Sequence, residues 1–103
     1  MYLTMNRFKV KRGHENAFEE IWAKRDSHLA SVPGFKAFHL MKGSETEAYT
    51  LYASHTTWAS EADFRAWTKS EAFRAAHAGA GGHKELYQGA PELELFEAVL
   101  SEG

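Results

Sequence analysis

FKAFHLMKGSETEAYTLYASHTTW, residues 35–58, is the stretch on which the fold turns. Phe35 to Lys42 and Tyr49 to Trp58 are rich in aromatic and β-branched side chains, and Gly43 to Ala48 between them is polar. The stretch therefore predicts two strands joined by a turn, a hairpin. Upstream of it the period changes. From His14, the residues Phe18, Ile21, Trp22, Arg25, Leu29 and Val32 recur at steps of three and four, one helical stripe that Pro33-Gly34 ends. Glu15, Glu19 and Glu20 lie near its start, where they complement the helix dipole. Downstream, Ser60-Glu61-Ala62-Asp63 has the form of a capping box, with Asp in place of the usual Glu or Gln, and opens a second helix. Ser70-Glu71 reads as another N-cap, so a break is expected there, with a new short helix through about His77. The glycines at 79, 81 and 82 then make a flexible connection.

The outermost segments read as strands. Tyr2 to Val10 alternates loosely, with Tyr2, Thr4, Asn6, Phe8 and Val10 on one side, before a turn at Lys11-Arg12-Gly13. Pro91 introduces the last strand, Glu92 to Leu100. The order β-α-β-β-α-β predicts an α+β, ferredoxin-like sheet with both helices on one face, one domain over residues 1–103. Such a sheet usually leaves its second face polar. Here His39 and Met41 are expected to share a face with Phe35 while Phe38 and Leu40 take the other, and Tyr49 and Leu51 oppose Tyr52 and Trp58. Bulky groups on both faces call for a cover, most simply a second copy of the chain, so a homodimer is expected, a dimeric α+β barrel.

Composition excludes several classes. With no cysteine among 103 residues there is no disulfide framework, no thiolate nucleophile and no cysteine-ligated zinc or iron–sulfur site. The formal charge of −2 has no basic block behind it, which argues against nucleic acid as a partner. No apolar run approaches the roughly 20 residues that span a bilayer, so no membrane association is expected. Met1 leads straight into a strand-like pattern without a signal peptide's basic and apolar regions, and a cytoplasmic location is the expectation.

Against that background the six histidines and the aromatics stand out. Asn6 sits mid-strand, where a buried amide costs energy unless its donors and acceptors are matched; an amide bonded to the backbone at a bulge or strand end fits equally. On pattern alone, Trp67 reads as helix core and His77 as a helix C-terminal histidine favoured by the dipole. The ten residues between them set the two about 80° apart on an unbroken helix, and a break near Ser70 would bring both around one ligand. Phe73 lies four residues before His77, on the same face. Ala75, Ala76, Ala78 and Gly79 leave room for something wide, or suit close helix packing. His14 and His28 lie at the start and in the region of the first helix, His39 and His55 within strands, and His83 is the rival to His77 as a ligand. No HExxH, nucleophile elbow or phosphate-binding glycine loop is present.

The segment Phe64-x-x-Trp67-x-Lys69-Ser70-x-x-Phe73-x-Ala75-Ala76-His77 closely resembles the bacterial haem-degrading monooxygenases, members of the antibiotic-biosynthesis-monooxygenase-like group of dimeric ferredoxin-like barrels. Asn6-Arg7-Phe8, Arg12-Gly13 and Pro33-Gly34-Phe35 fit as well, so the resemblance covers nearly the whole domain. It implies that His77 is the proximal iron ligand through a neutral imidazole nitrogen, that Asn6 donates a hydrogen bond on the distal side, and that Trp67 presses on the porphyrin. Phe64 and Phe73 would pack beside the ring; Trp22 would line the pocket, and Arg25 would reach a haem propionate, unless the two are simply part of an amphipathic helix. Haem is then both cofactor and substrate: O2 activated at its iron attacks a meso carbon, the ring opens to a bilin-type product, and iron is released. An external electron donor, a reductase or ascorbate, is required because the chain carries no redox centre of its own. The glycine-rich stretch after His77 departs from the more charged linker of some relatives.

Three other readings compete. A cofactor-independent monooxygenase would oxidise aromatic polyketide phenols to quinones on the same barrel, using Asn6 and Trp67 and leaving His77 without a metal. A non-enzymatic haem-storage or haem-transfer protein would bind through His77 without consuming the ligand. The last is a dimeric barrel whose aromatics are only core.

Overall fold

A computed structural model of the chain describes residues 1–25, 28–71, 73–74 and 85–102. Its elements are β1 (Tyr2–Lys11), α1 (Glu15–Lys24), a 3-10 turn at Leu29–Ser31, β2 (Phe35–Glu45), β3 (Tyr49–Trp58), α2 (Glu61–Thr68) and β4 (Glu92–Glu97). The strands form a four-stranded sheet in the order β2-β3-β1-β4, and each neighbouring pair is antiparallel. This is the ferredoxin-like arrangement expected from the element order. The alternation places Tyr2, Thr4, Phe8 and Val10 of β1 and Thr50, Tyr52, Ser54, Thr56 and Trp58 of β3 in the interior beneath the helices. Among the described residues no helix is long and apolar enough to cross a membrane.

The core divides into two clusters along the central strands. Phe18 of α1 joins Phe8, Val10, Tyr52 and Leu86 in one, with Ile21 and Trp22 packed against it. Phe64 of α2 joins Tyr2, Leu29 and Trp58 in the other, with Phe35, Phe38 and Trp67 packed against it. Between them the apolar stripe expected on one long helix breaks. α1 ends at Lys24, Arg25 is extended with φ −71° and ψ 146°, and His28 takes a left-handed φ of 58°. A straight helix cannot serve both clusters; a separate turn delivers Leu29 and Val32 to the second one.

The junction that follows is a tight turn. Pro33 and Gly34 are the central residues of a turn closed by Phe35 N–H donating to the Val32 carbonyl at 3.2 Å. Gly34 adopts φ +81°, which a type II turn demands at that position, and a Cβ there would fall 2.2 Å from the Asp63 carboxyl carbon. Asp63 is held in place because Ser60 caps α2, accepting from Asp63 N–H at 3.2 Å and donating to its carboxylate at 3.0 Å. The expected cap is present, with the Asp bonded to the cap hydroxyl.

One expectation about faces is corrected. Phe35 pairs with Trp58 and Ala37 with Thr57, a register shift that adds one residue to β2. A bulge reverses the alternation phase. Phe35 therefore packs with Phe38 against the second cluster, on the helix side, and does not share a face with His39 and Met41. The far face still carries apolar groups: Leu3, Met5 and Leu51 are half-buried, while Met41 and Phe96 are 53% and 46% exposed. β4 stops at Glu97, three residues short of the expected end, and leaves Val99 and Leu100 exposed.

Candidate active site

Between the sheet and the two helices lies a cleft of about 270 Å³. Its floor is polar: Thr4 and Asn6 come from β1, and Ser54 and Thr56 from β3. These are small residues on the inward side of the two central strands, so neighbouring aromatics do not fill the space above them.

Two aromatic walls rise from this floor. On one side Trp22 of α1 and Phe38 of β2 stack, with ring centroids 5.8 Å apart and planes 9° from parallel. The guanidinium carbon of Arg25 lies 4.1 Å from the Trp22 ring centroid and 5.3 Å from that of Phe38. Burial lowers the pKa of Arg25, with no carboxylate contributing, yet an arginine stays charged at neutral pH. The stacked rings hold this cation at the rim by cation–π attraction.

On the other side stands Trp67, half-buried at the end of α2. Its ring is braced by Trp58 at 5.2 Å, Phe64 at 6.2 Å and Phe73 at 4.8 Å, the last in an edge-on contact at 83°. Ser70 makes that contact possible. Its backbone N–H and hydroxyl both donate to the Trp67 carbonyl, at 2.9 and 2.7 Å, and its Oγ accepts from Phe73 N–H at 3.1 Å. The break expected at Ser70 is thus a combined stop and start that folds Phe73 back onto Trp67.

Asn6 is the chemically distinctive group on the floor. Its Oδ1 is sealed from solvent and has no hydrogen-bond partner. Buried polar atoms are nearly always satisfied, so an orphan at a cleft marks a position held for something other than packing.

Of the site residues expected from the sequence, Asn6, Trp22, Arg25, Phe64, Trp67 and Phe73 all line this one cleft. Phe64 is 5% exposed and is chiefly core. Trp67 is both core and wall. His77, expected as the ligand, and its rival His83 lie outside the described residues. Thr4, Phe38, Ser54, Thr56 and Leu93 were not anticipated. Thr4 shares the parity of Asn6 and was within reach of pattern reading; Ser54 and Leu93 become neighbours only through the pairing register, which sets both directly opposite Asn6.

A larger depression of about 360 Å³ lies on the opposite face of the sheet, lined by Arg7, Lys9, Tyr49, Glu92 and Glu94. Arg7 and Glu94 stand 3.7 Å apart there and largely compensate each other. The smaller cleft, with its orphaned amide oxygen and, among the described residues, a single cation, is the better candidate for chemistry.

Comparison with known proteins places the chain in a known family and fold. The family described as antibiotic biosynthesis monooxygenase matches residues 1–79. A heme-degrading monooxygenase of Bacillus thuringiensis (strain Al Hakam) is 30% identical over 82 residues, covering 80% of this chain and 76% of the relative. The solved structure of the heme-degrader MhuD from Mycobacterium tuberculosis, with two hemes bound in its active site, superposes with a TM-score of 0.75 at 27% identity and covers all of both chains. SnoaB, a cofactor-independent oxygenase from Streptomyces nogalater, superposes with a TM-score of 0.68 at 25% identity over 97% of this chain and 94% of that one.

Proposed function

This chain belongs to the antibiotic biosynthesis monooxygenase family of oxidoreductases, and we propose that it is a haem-degrading monooxygenase. One observation carries the reading: a single cleft gathers an unpartnered amide, a braced tryptophan and a cation held on stacked rings. The residues fit the ligand. Haem is flat, apolar on its faces and anionic at its propionate edge; the cleft has flat aromatic walls and one guanidinium at the rim.

His77 holds the iron through a neutral imidazole nitrogen in this reading. When bound, haem supplies an iron at which O2 is activated with electrons from an external donor, and its own meso carbon is the target. The chain's own residues orient and exclude. Asn6 would supply a neutral amide donor to the bound ligand; an amide has no proton to give up near neutral pH, so it would orient an electron-rich group without protonating it. Trp67, wedged between Trp58, Phe64 and Phe73, cannot swing aside and would form a fixed wall against the bound ligand. Arg25 pairs with a propionate, and the Trp22–Phe38 stack runs beside the ring. The exposed apolar groups on the far sheet face, Met41 and Phe96 among them, support a homodimer as the working form. The electron donor is a reductase, which ascorbate replaces in the test tube.

Arg25→Gln is expected to weaken haemin binding about 10-fold, the scale of one charge-assisted hydrogen bond. The loss should shrink as salt is raised, because screening weakens the contact that the variant lacks. Equal affinities for parent and variant in low salt would remove Arg25 from the site.

The deciding experiment is an absorption titration of the apo-protein with haemin, followed by ascorbate in air with catalase present. A saturable Soret band that decays as a bilin-like band grows is the expected result. Loss of binding in His77→Ala but not in His83→Ala assigns the ligand. A Soret band that persists with reductant would favour storage or transfer. Absence of binding would favour the second reading, a cofactor-independent oxygenase on an aromatic phenol, which the similarity to SnoaB and the aromatic lining support.

A further inference from the structure

Tyr52 is a buried titratable group that the proposed chemistry does not use. It lies within β3, 1% exposed, and its ring packs on Phe18 of α1 with centroids 4.7 Å apart. Its phenol O–H donates to Oε2 of Glu19, the solvent-exposed residue that follows Phe18 on the helix. Burial, reinforced by that carboxylate, pushes the phenol pKa up, so the oxygen keeps its proton at neutral pH. A strap from helix to sheet needs only an acceptor, and a neutral amide would serve. A carboxylate is in addition a base, and this one has an outlet to water.

Phe18 joins this pair to the cleft. It also meets Trp22, a cleft wall, at 6.0 Å, so two ring contacts lead from the cleft to the phenol. In a chain without cysteine, indole and phenol are the side chains that give up one electron most readily. A phenol oxidised in an apolar core would carry an uncompensated charge, which is costly, so it yields its electron there only if a base takes its proton in the same step. Glu19 is such a base. The neighbouring routes lack one. Trp67 leads to Trp58, whose indole N–H donates to the Thr4 hydroxyl. Tyr87 also meets Phe18, at 5.9 Å, but among the described residues its phenol has no carboxylate acceptor.

We propose that Trp22, Tyr52 and Glu19, bridged by Phe18, form a relay that carries a stranded oxidising equivalent out of the cleft. Trp22 gives one electron to the oxidant, peroxide or partly reduced O2 acting on the bound ligand. Tyr52 then gives one electron to the oxidised indole, and its phenolic proton passes to Glu19, leaving a neutral tyrosyl radical. An external reductant such as ascorbate returns one electron, Glu19 returns the proton, and both rings are restored. That the oxidant arises at haem rests on the haem-degrading reading, whereas the relay is a property of the chain alone.

The test takes the two apart. Pulse radiolysis of the apo-protein with azide radicals oxidises tryptophan, and indolyl absorbance should then decay as tyrosyl absorbance grows. Tyr52→Phe, which keeps the ring packing, should remove most of that growth, whereas Tyr87→Phe should leave it. Glu19→Gln keeps an acceptor oxygen but is no base, so it should slow the step roughly 100-fold, the lower end of what a positioned base contributes. Tyrosyl growth at the parental rate in Tyr52→Phe or in Glu19→Gln would overturn the proposal, whether or not haemin binds. In the haemin-loaded protein, peroxide should oxidise Trp22 faster in Tyr52→Phe than in the parent, read by mass spectrometry of the peptide that carries it. Equal oxidation in the two would overturn the protective role.

Discussion

Asn6→Ala is expected to leave haemin affinity near the parent value while lowering the rate of ring opening about 100-fold, the scale seen when one oriented hydrogen-bond donor is removed from a reaction centre. The separation follows from where the binding energy lies. In the proposed complex the aromatic walls and Arg25 would contact the ligand's faces and edge, and the packing that holds them in place does not involve the amide. The orphaned Oδ1 makes a second consequence measurable. Alanine removes a buried acceptor that has no partner, so the substitution should leave thermal stability unchanged or raise it slightly. The assay is Soret decay under ascorbate with catalase, beside a haemin titration and a melting curve. Parental turnover in a variant that still binds haemin would exclude Asn6 from the chemistry. Lost stability with lost turnover would mean that the amide is structural.

Trp58→Ala should be the most destabilising single change in the second core cluster, costing about 3–5 kcal/mol. Trp58 is fully buried, and its ring meets Phe35, Phe64 and Trp67 at centroid distances of 6.0, 5.9 and 5.2 Å. Truncation leaves a cavity among three aromatic partners and deprives the buried Thr4 hydroxyl of its indole donor. Against a total stability of about 5–15 kcal/mol, the loss should lower the urea midpoint by roughly 1–5 M. Trp67 would lose one of its three braces, so haemin affinity should fall in the fraction that remains folded. A midpoint shift below about 0.3 M would show that the cluster collapses around the missing ring.

Both predictions draw on features of different legibility. The element order, the polar hairpin turn and the Ser60 cap were readable because each rests on local chemistry, such as a side chain that bonds a nearby N–H; Pro33-Gly34 was read only as a helix end, whereas it forms a turn after the helix has already stopped at Lys24. The alternation of β1 was readable for the same reason, and it placed Asn6 on the inward face with Thr4 and Phe8. The proposed roles of Asn6 and Trp67 were not legible in periodicity, which reads a tryptophan at a helical position as core. They came from resemblance, and the structure has Trp67 serving both as core and as cleft wall.

The tertiary structure alone decided three things. The bulge between Phe35 and Ala37 set which face Phe35 takes, because one added residue inverts the alternation and no local signal announces it. The end of α1 at Lys24 was invisible to a stripe whose spacing stayed in phase through Val32; the need to fill two clusters at different positions along the sheet, which only packing reveals, breaks the helix. The register of β1 against β3 made Ser54 the neighbour of Asn6, although 48 positions separate them in the chain. Sequence periodicity determines what faces inward within one strand or helix. Which inward-facing groups meet is determined by the pairing of elements, and the cleft is made of such meetings.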